Sequence, residues 1–172
     1  MAPCRYSSDR MAIWKAQRTL LIVGEGYHED AFLNHVKQIY APRGCGLAVT
    51  IKNARGKGAM HVIDWTIKQI ANAHFDVVAA MLDTDEGWSP TVAKLAWKKK
   101  VQVLASAPCF DALMLRLLDV NAEGEAKALK KKLAPYLGND PTQRKNYELH
   151  FGKACLEAGR MKEPTVDALL KL

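Results

Sequence analysis

No apolar run in this 172-residue chain approaches the ~18 residues that a membrane-spanning helix requires. The stretch from Met1 to Thr19 holds Asp9 and no continuous apolar segment, so the expectation is a chain without signal peptide or anchor, working in the cytoplasm. Cysteine is sparse. Cys4, Cys45, Cys109 and Cys155 lie far apart with no CxxC pair, which argues against a zinc ribbon or disulfide framework and leaves reduced thiols as the expectation. His28, His35, His61, His74 and His150 lack a metal spacing such as HxxxH. There is no GxSxG elbow, and Lys57 in Arg55-Gly56-Lys57-Gly58 is followed by glycine rather than Ser or Thr, which excludes a nucleotide-hydrolysing P-loop. Glycine (11) and proline (7) are scattered, and no period of 20 to 50 residues recurs, so collagen-like chains and repeat arrays are excluded.

What remains is 49% apolar residues, enough for one domain with a real core. Thr19 to Val23 is a short branched apolar run ending in Gly24-Glu25-Gly26, as a buried strand closed by a tight turn would be. Phe32, Val36, Ile39 and Tyr40 then fall at helical spacing, and Leu47, Val49 and Ile51 alternate as in a strand. Met60, Ile63, Ile67 and Ile70 return to helical spacing, and Asp76 to Leu82 is a third strand. Ser89-Pro90 opens a helix that ends in lysines, and Val101 to Ala105 is a fourth strand. Phe110, Leu113, Met114, Leu117 and Leu118 form one helix face, and beyond Asn121 the pattern is helical throughout. Strands alternating with helices imply an α/β fold: a four-stranded parallel sheet flanked by helices, with a helical C-terminal extension. The expected division is a flexible arm over 1–17, the α/β unit over 18–120, and the extension over 121–172, packed on the same domain.

The charge balance is 25 Lys and Arg against 18 Asp and Glu, a formal +7, which favours a polyanionic partner. Positive charge gathers at Lys52, Arg55 and Lys57, at Lys94 with Lys98, Lys99 and Lys100, and at Lys127 with Lys130, Lys131 and Lys132. A solvated helix face or loop is the plainer account of each run taken alone.

In an open parallel sheet, ligands bind at the carboxyl ends of the strands. Glu25 follows the first strand, and Asp83 and Asp85 end the third, two residues apart, so that an extended backbone would aim both the same way. If strands one and three are neighbours, the carboxylates meet, and a hard divalent cation such as Mg²⁺ or Mn²⁺ would relieve their repulsion. The competing account is three separate, solvated loop acids. Trp88, beside the acidic loop, is either a stacking surface for a base or an anchor for the loop.

Gly24-Glu25-Gly26 with Glu29, then Gly56-Lys57-Gly58, Asp83-Thr84-Asp85 and Ala107-Pro108-Cys109-Phe110-Asp111, together resemble the RloB-like proteins, a branch of the TOPRIM-type domains related to OLD-type nucleases. The likeness covers roughly Thr19 to Leu118. It implies a TOPRIM, Rossmann-like sheet, Glu25 as general acid or base or as metal ligand, and Asp83 and Asp85 as the metal-binding pair, with Glu29 as a further acidic position. It also implies a setting in bacterial or phage defence and a partner ATPase. The pattern departs from the family where Gly87 stands in the last place of DxDxE, with Glu86 one position early. Ala107 replaces the asparagine usual before Pro-Cys-Phe, and Asp111 stands where glutamate is usual.

The expected function is therefore Mg²⁺- or Mn²⁺-dependent hydrolysis of phosphodiesters in DNA or RNA. In this reading Glu25 is catalytic, Asp83, Asp85 and Glu29 hold metal, and Arg55, Lys57, Lys98, Lys99 and Lys100 grip the nucleic acid. The alternative is a catalytically inactive subunit that binds nucleic acid or docks a partner. A DxD phosphatase would carry its pair on the first strand, not the third.

Overall fold

The computed structural model describes residues 17–138 and 140–172, so nearly all of the arm expected over 1–17 lies outside the described residues. Four strands, β1 (Arg18–Gly24), β2 (Leu47–Asn53), β3 (Val77–Asp83) and β4 (Gln102–Ser106), form one sheet in the order β2-β1-β3-β4, every neighbouring pair parallel. The helices between them are α1 (Tyr27–Tyr40), α2 (Gly58–Asn72) and α3 (Pro90–Lys98), and α4 (Phe110–Leu117) follows β4. A tail of α5 (Ala126–Leu137), a 3-10 turn (Arg144–Tyr147), α6 (Lys153–Arg160) and α7 (Pro164–Leu170) completes the α/β fold, which is Rossmann-like with a helical C-terminal part.

The central strands are continuous apolar runs because both their faces are covered. On β1, Leu20 and Ile22 face one core while Leu21 and Val23 face the other; on β3, Ala79 and Met81 oppose Val78, Ala80 and Leu82 in the same way. The first core takes α1, α4 and the tail, and the second takes α2 and α3. This distribution follows from right-handed crossovers: the step from β1 to β2 runs one way along the sheet, and the steps from β2 to β3 and β3 to β4 run the other.

The tail is continuous with the first core. Leu129, Leu133, Leu137, Tyr147, Phe151, Leu156, Val166 and Leu169 belong to the same buried cluster as Phe32 and Phe110. Phe32 lies at its centre, fully buried, with ring centroids 5.6 Å from Phe110, 5.8 Å from Tyr147 and 6.4 Å from Phe151. Buried His35 ties α1 to the tail through Nε2, 2.8 Å from the Phe151 carbonyl. Arg116 on α4 reaches α7's entry, with Nε 2.7 Å and a terminal nitrogen 3.1 Å from the two Glu163 oxygens. Among the described residues, no helix is long and apolar enough to cross a membrane.

Candidate functional site

The sheet order reverses between β1 and β3, since α1 leaves the end of β1 over one face and α3 leaves the end of β3 over the other. A crevice forms where the two connections diverge, and it is the general ligand position of open parallel sheets. Glu25 and Asp83 stand there. The Glu25 amide donates to the Met81 carbonyl at 3.0 Å, which extends the β1–β3 ladder by one bond. The Glu25 carboxylate, through Oε2, then accepts the Asp83 amide at 3.0 Å. Sequence-distant turns are thus joined at one rim.

Asp83 Oδ1 accepts the Phe110 amide at 2.8 Å, at the first turn of α4, where a carboxylate complements unpaired N–H groups and the helix dipole. Even so, its carboxyl is pushed up to about 8, first by burial and then by the negative charges of Glu29, Glu25 and Asp85. No ion pair among the described residues engages any of these four acids. Among the described residues no ion-paired cation offsets the repulsion that Glu29, Glu25 and Asp85 exert on Asp83.

Two expectations are corrected in detail. Asp83 and Asp85 do not share a continuous extended backbone: β3 ends at Asp83, the Thr84 amide turns to the Ser106 and Pro108 carbonyls at 3.1 Å, and Asp85 is exposed while Asp83 is half-buried. Glu29 is buried, and its Oε2 accepts the Gly26 amide at 2.9 Å, the back-bond of a helix N-terminus, so one oxygen of this acid holds α1 in place. Burial raises its pKa, while backbone hydrogen bonds pull the other way. Gly24 admits the helix this close: a Cβ there would stand 3.0 Å from the Glu29 Cβ.

Arg55 and Lys57 lie on the loop after β2, at the same rim. The Gly56 amide donates to the Glu25 carbonyl at 2.7 Å, and both basic side chains are exposed. Arg55, Gly56, Lys57 and Gly58 all have φ between 64° and 79°, a conformation that costs a residue with Cβ about 1 kcal/mol or more. This left-handed run stands beside the carboxylate cluster and opens the 15-residue α2. Lys98, Lys99 and Lys100 are not brought here. They end α3 and precede β4, at the amino edge of the sheet, where Lys99 and Lys100 line a hollow with His74, Phe75 and Asp76.

The loop after Asp83 docks on α2. Glu86 presents its carbonyl to the Ala59 amide at 3.3 Å, and Gly87, at φ 73°, passes so close that a Cβ would sit 3.4 Å from the same nitrogen. This docking gives a physical reason for glycine in the place where DxDxE carries an acid. Trp88 is half-buried against the second core and anchors the loop.

Sequence reasoning did not commit Ser106, His28 or Asp111 to the site, and Ser106, expected with Pro108 to open the Phe110 helix, instead ends β4 while Cys109 caps that helix. Ser106 pairs in register with Asp83, is fully buried, and its Oγ has no hydrogen-bond partner among the described residues. His28 Nδ1 lies 3.9 Å from Asp111 Oδ1, joining the starts of α1 and α4 beside the crevice. The position of His28 in the turn after β1 was a legible signal; its pairing with Asp111 required the fold.

Carboxylate oxygens are the donor chemistry that a hard divalent cation takes. In the positions described, however, no three His, Cys, Asp or Glu side chains gather closely enough to ligate one among the described residues. No protein-family model matches the chain, and no curated protein or solved structure is significantly similar to it.

Proposed function

We propose that this chain is a divalent-metal-dependent nuclease of the TOPRIM type, similar to RloB-like proteins, hydrolysing phosphodiester bonds in DNA or RNA. The observation that carries the reading is the Glu25 carboxylate bonded to the Asp83 amide at the switch point of the sheet, inside a cluster of acids that form no ion pair among the described residues.

Asp83 and Asp85 would hold Mg²⁺ or Mn²⁺, with Glu25 as co-ligand or base; when bound, the ion supplies Lewis acidity toward a phosphoryl oxygen and an acidified water. Glu25 keeps one carboxylate oxygen outside its bond to the Asp83 amide, and that oxygen is the one able to take a proton. Glu29 acts by fixing α1 and adding negative potential at Asp83. Arg55 and Lys57 orient the phosphate backbone from the strained loop. A cytoplasmic setting, a role in defence and a partner ATPase belong to the same proposal; the free thiols Cys45, Cys109 and Cys155 accord with a reducing compartment.

The test is incubation of the purified chain with single-stranded and duplex DNA and RNA in Mn²⁺ or Mg²⁺. Cleavage is expected to fall by at least about a hundredfold in Glu25→Gln and in Asp83→Asn. Turnover unchanged by both substitutions refutes it.

A second reading, a nucleic-acid-binding subunit without turnover, is favoured by one observation. Asp83 and Glu29 each commit an oxygen to a helix N-terminus, and no three-ligand group is closed among the described residues. Binding with steep salt dependence and no cleavage in either metal would establish it.

A further inference from the structure

Beside the carboxylate rim lies a cleft of about 640 Å³, walled by His28 of α1, Asp111 of α4 and the exposed side of α5. Its volume lies within the ~300–1,000 Å³ of small-ligand sites. Its lining has two characters. The exposed Ala134 and Pro135, backed by the buried Leu133 and Leu137, supply an apolar floor, and Lys130 and Lys131 supply two exposed ammonium groups, neither of them in an ion pair among the described residues. Asp111, also in the lining, is 15% exposed and faces His28 at 3.9 Å. Asp111 precludes a phosphate at its own end and accepts hydrogen bonds from hydroxyl or amino groups.

We infer that this cleft seats one unstacked nucleotide of a single-stranded nucleic acid, flanking the phosphodiester held at Glu25 and Asp83. The base or sugar lies on the Ala134–Pro135 floor, its phosphate meets Lys130 and Lys131, and its polar edge meets Asp111 and His28. The lining favours this occupant because apolar surface, two cations and an acceptor border a single cleft, and a nucleotide presents a partner for each. Continuity with the acidic rim comes through α4: the Phe110 amide holds Asp83, and the next residue, Asp111, lines the cleft. The inference deepens the nuclease reading and rests on it for the position of the neighbouring phosphodiester.

The experiment is fluorescence polarisation with 5′-fluorescein 12-mers of DNA and RNA, single-stranded and duplex, on the full chain carrying Asp83→Asn and in chelator, so that no cleavage intervenes. In about 0.1 M salt, Lys130→Gln/Lys131→Gln is expected to weaken single-strand binding about tenfold. Lys98→Gln/Lys99→Gln, at the opposite edge, is expected to change it less than about twofold. Ala134→Trp, which fills the cleft without altering its charge, is expected to weaken binding as well, and duplexes are expected to bind more weakly than single strands. Matched thermal melts establish that each variant folds. Unchanged binding in Ala134→Trp, equal losses in the two lysine pairs, or equal affinity for duplex overturns the inference. Cleavage assays on the otherwise native chain report separately on the nuclease reading: loss of binding without any cleavage leaves the cleft standing and sinks the enzyme, and cleavage with unaltered binding in all variants does the reverse.

Discussion

The raised pKa of Asp83 has a thermodynamic consequence that a single substitution isolates. An acid that titrates at 3.8 in the unfolded chain and at about 8 in the folded one keeps its proton in the native state across that interval. The native state then binds more protons than the unfolded state, so stability is full below about pH 4, falls as pH rises, and reaches its lower plateau above about pH 8. At about 1.4 kcal/mol per tenfold change in proton affinity, the full linkage would be about 6 kcal/mol. Solvent screening at a half-buried carboxyl, and sharing of the charge among Glu25, Glu29 and Asp85, reduce the expected loss to about 2–3 kcal/mol. Asp83→Asn keeps the Oδ1 acceptor for the Phe110 amide and removes the charge. In urea unfolding with chelator present, the variant should match the parent at about pH 3.5, already exceed it slightly at pH 5, and exceed it by about 2–3 kcal/mol at pH 8. Mg²⁺ or Mn²⁺ should stabilise the parent more at pH 8 than at pH 5, because cation and proton compete for the same oxygens, and should do little for the variant. A variant less stable than the parent by the same amount at both pH values would refute the reasoning, since the loss would then be one of packing or hydrogen bonding.

Phe32→Ala should cost about 3–5 kcal/mol in urea unfolding, because Phe32 is fully buried among three other rings. Gly24→Ala should cost about 1–3 kcal/mol by forcing α1 away from β1, since the new Cβ meets the Glu29 Cβ at 3.0 Å; an unchanged melting temperature would refute that close approach. Lys57→Asn should leave stability within about 0.5 kcal/mol, asparagine tolerating the left-handed backbone, while lowering by about 1 the slope of log affinity for nucleic acid against log salt. Arg116→Lys should lose the forked contact to Glu163 and destabilise by about 1–2 kcal/mol, measured by thermal melting.

The strands were legible because each central one is covered on both faces and so reads as an uninterrupted branched run ending in polar residues. Ser89-Pro90 marked the start of α3 through local chemistry, and the Ser89 Oγ does accept the Val92 amide at 3.4 Å. The meeting of Glu25 and Asp83 was legible only as a conditional, because strand adjacency is a tertiary property; the β1–β3 register supplies it. The lysine run at 98–100 misleads for a related reason: it closes a helix antiparallel to the strands, and charge density says nothing about which edge of a sheet it occupies. Glu29 and Asp83 were assigned by type, whereas their environments turn on backbone hydrogen bonds, namely the Gly26 amide for Glu29 and the Phe110 amide for Asp83. The cleft under α5 was not legible, because its walls come from chain segments about a hundred residues apart.

The aromatic cluster around Phe32 bears on how this protein can be dissected. A cut near residue 120 would look natural on a hydropathy plot, yet it would strip Tyr147 and Phe151 from the ring packed on α1 and leave His35 without its carbonyl partner. The final third of the polypeptide is structural masonry for the first two, and a minimal fragment ending there would present an oily flank to water in place of a folded core.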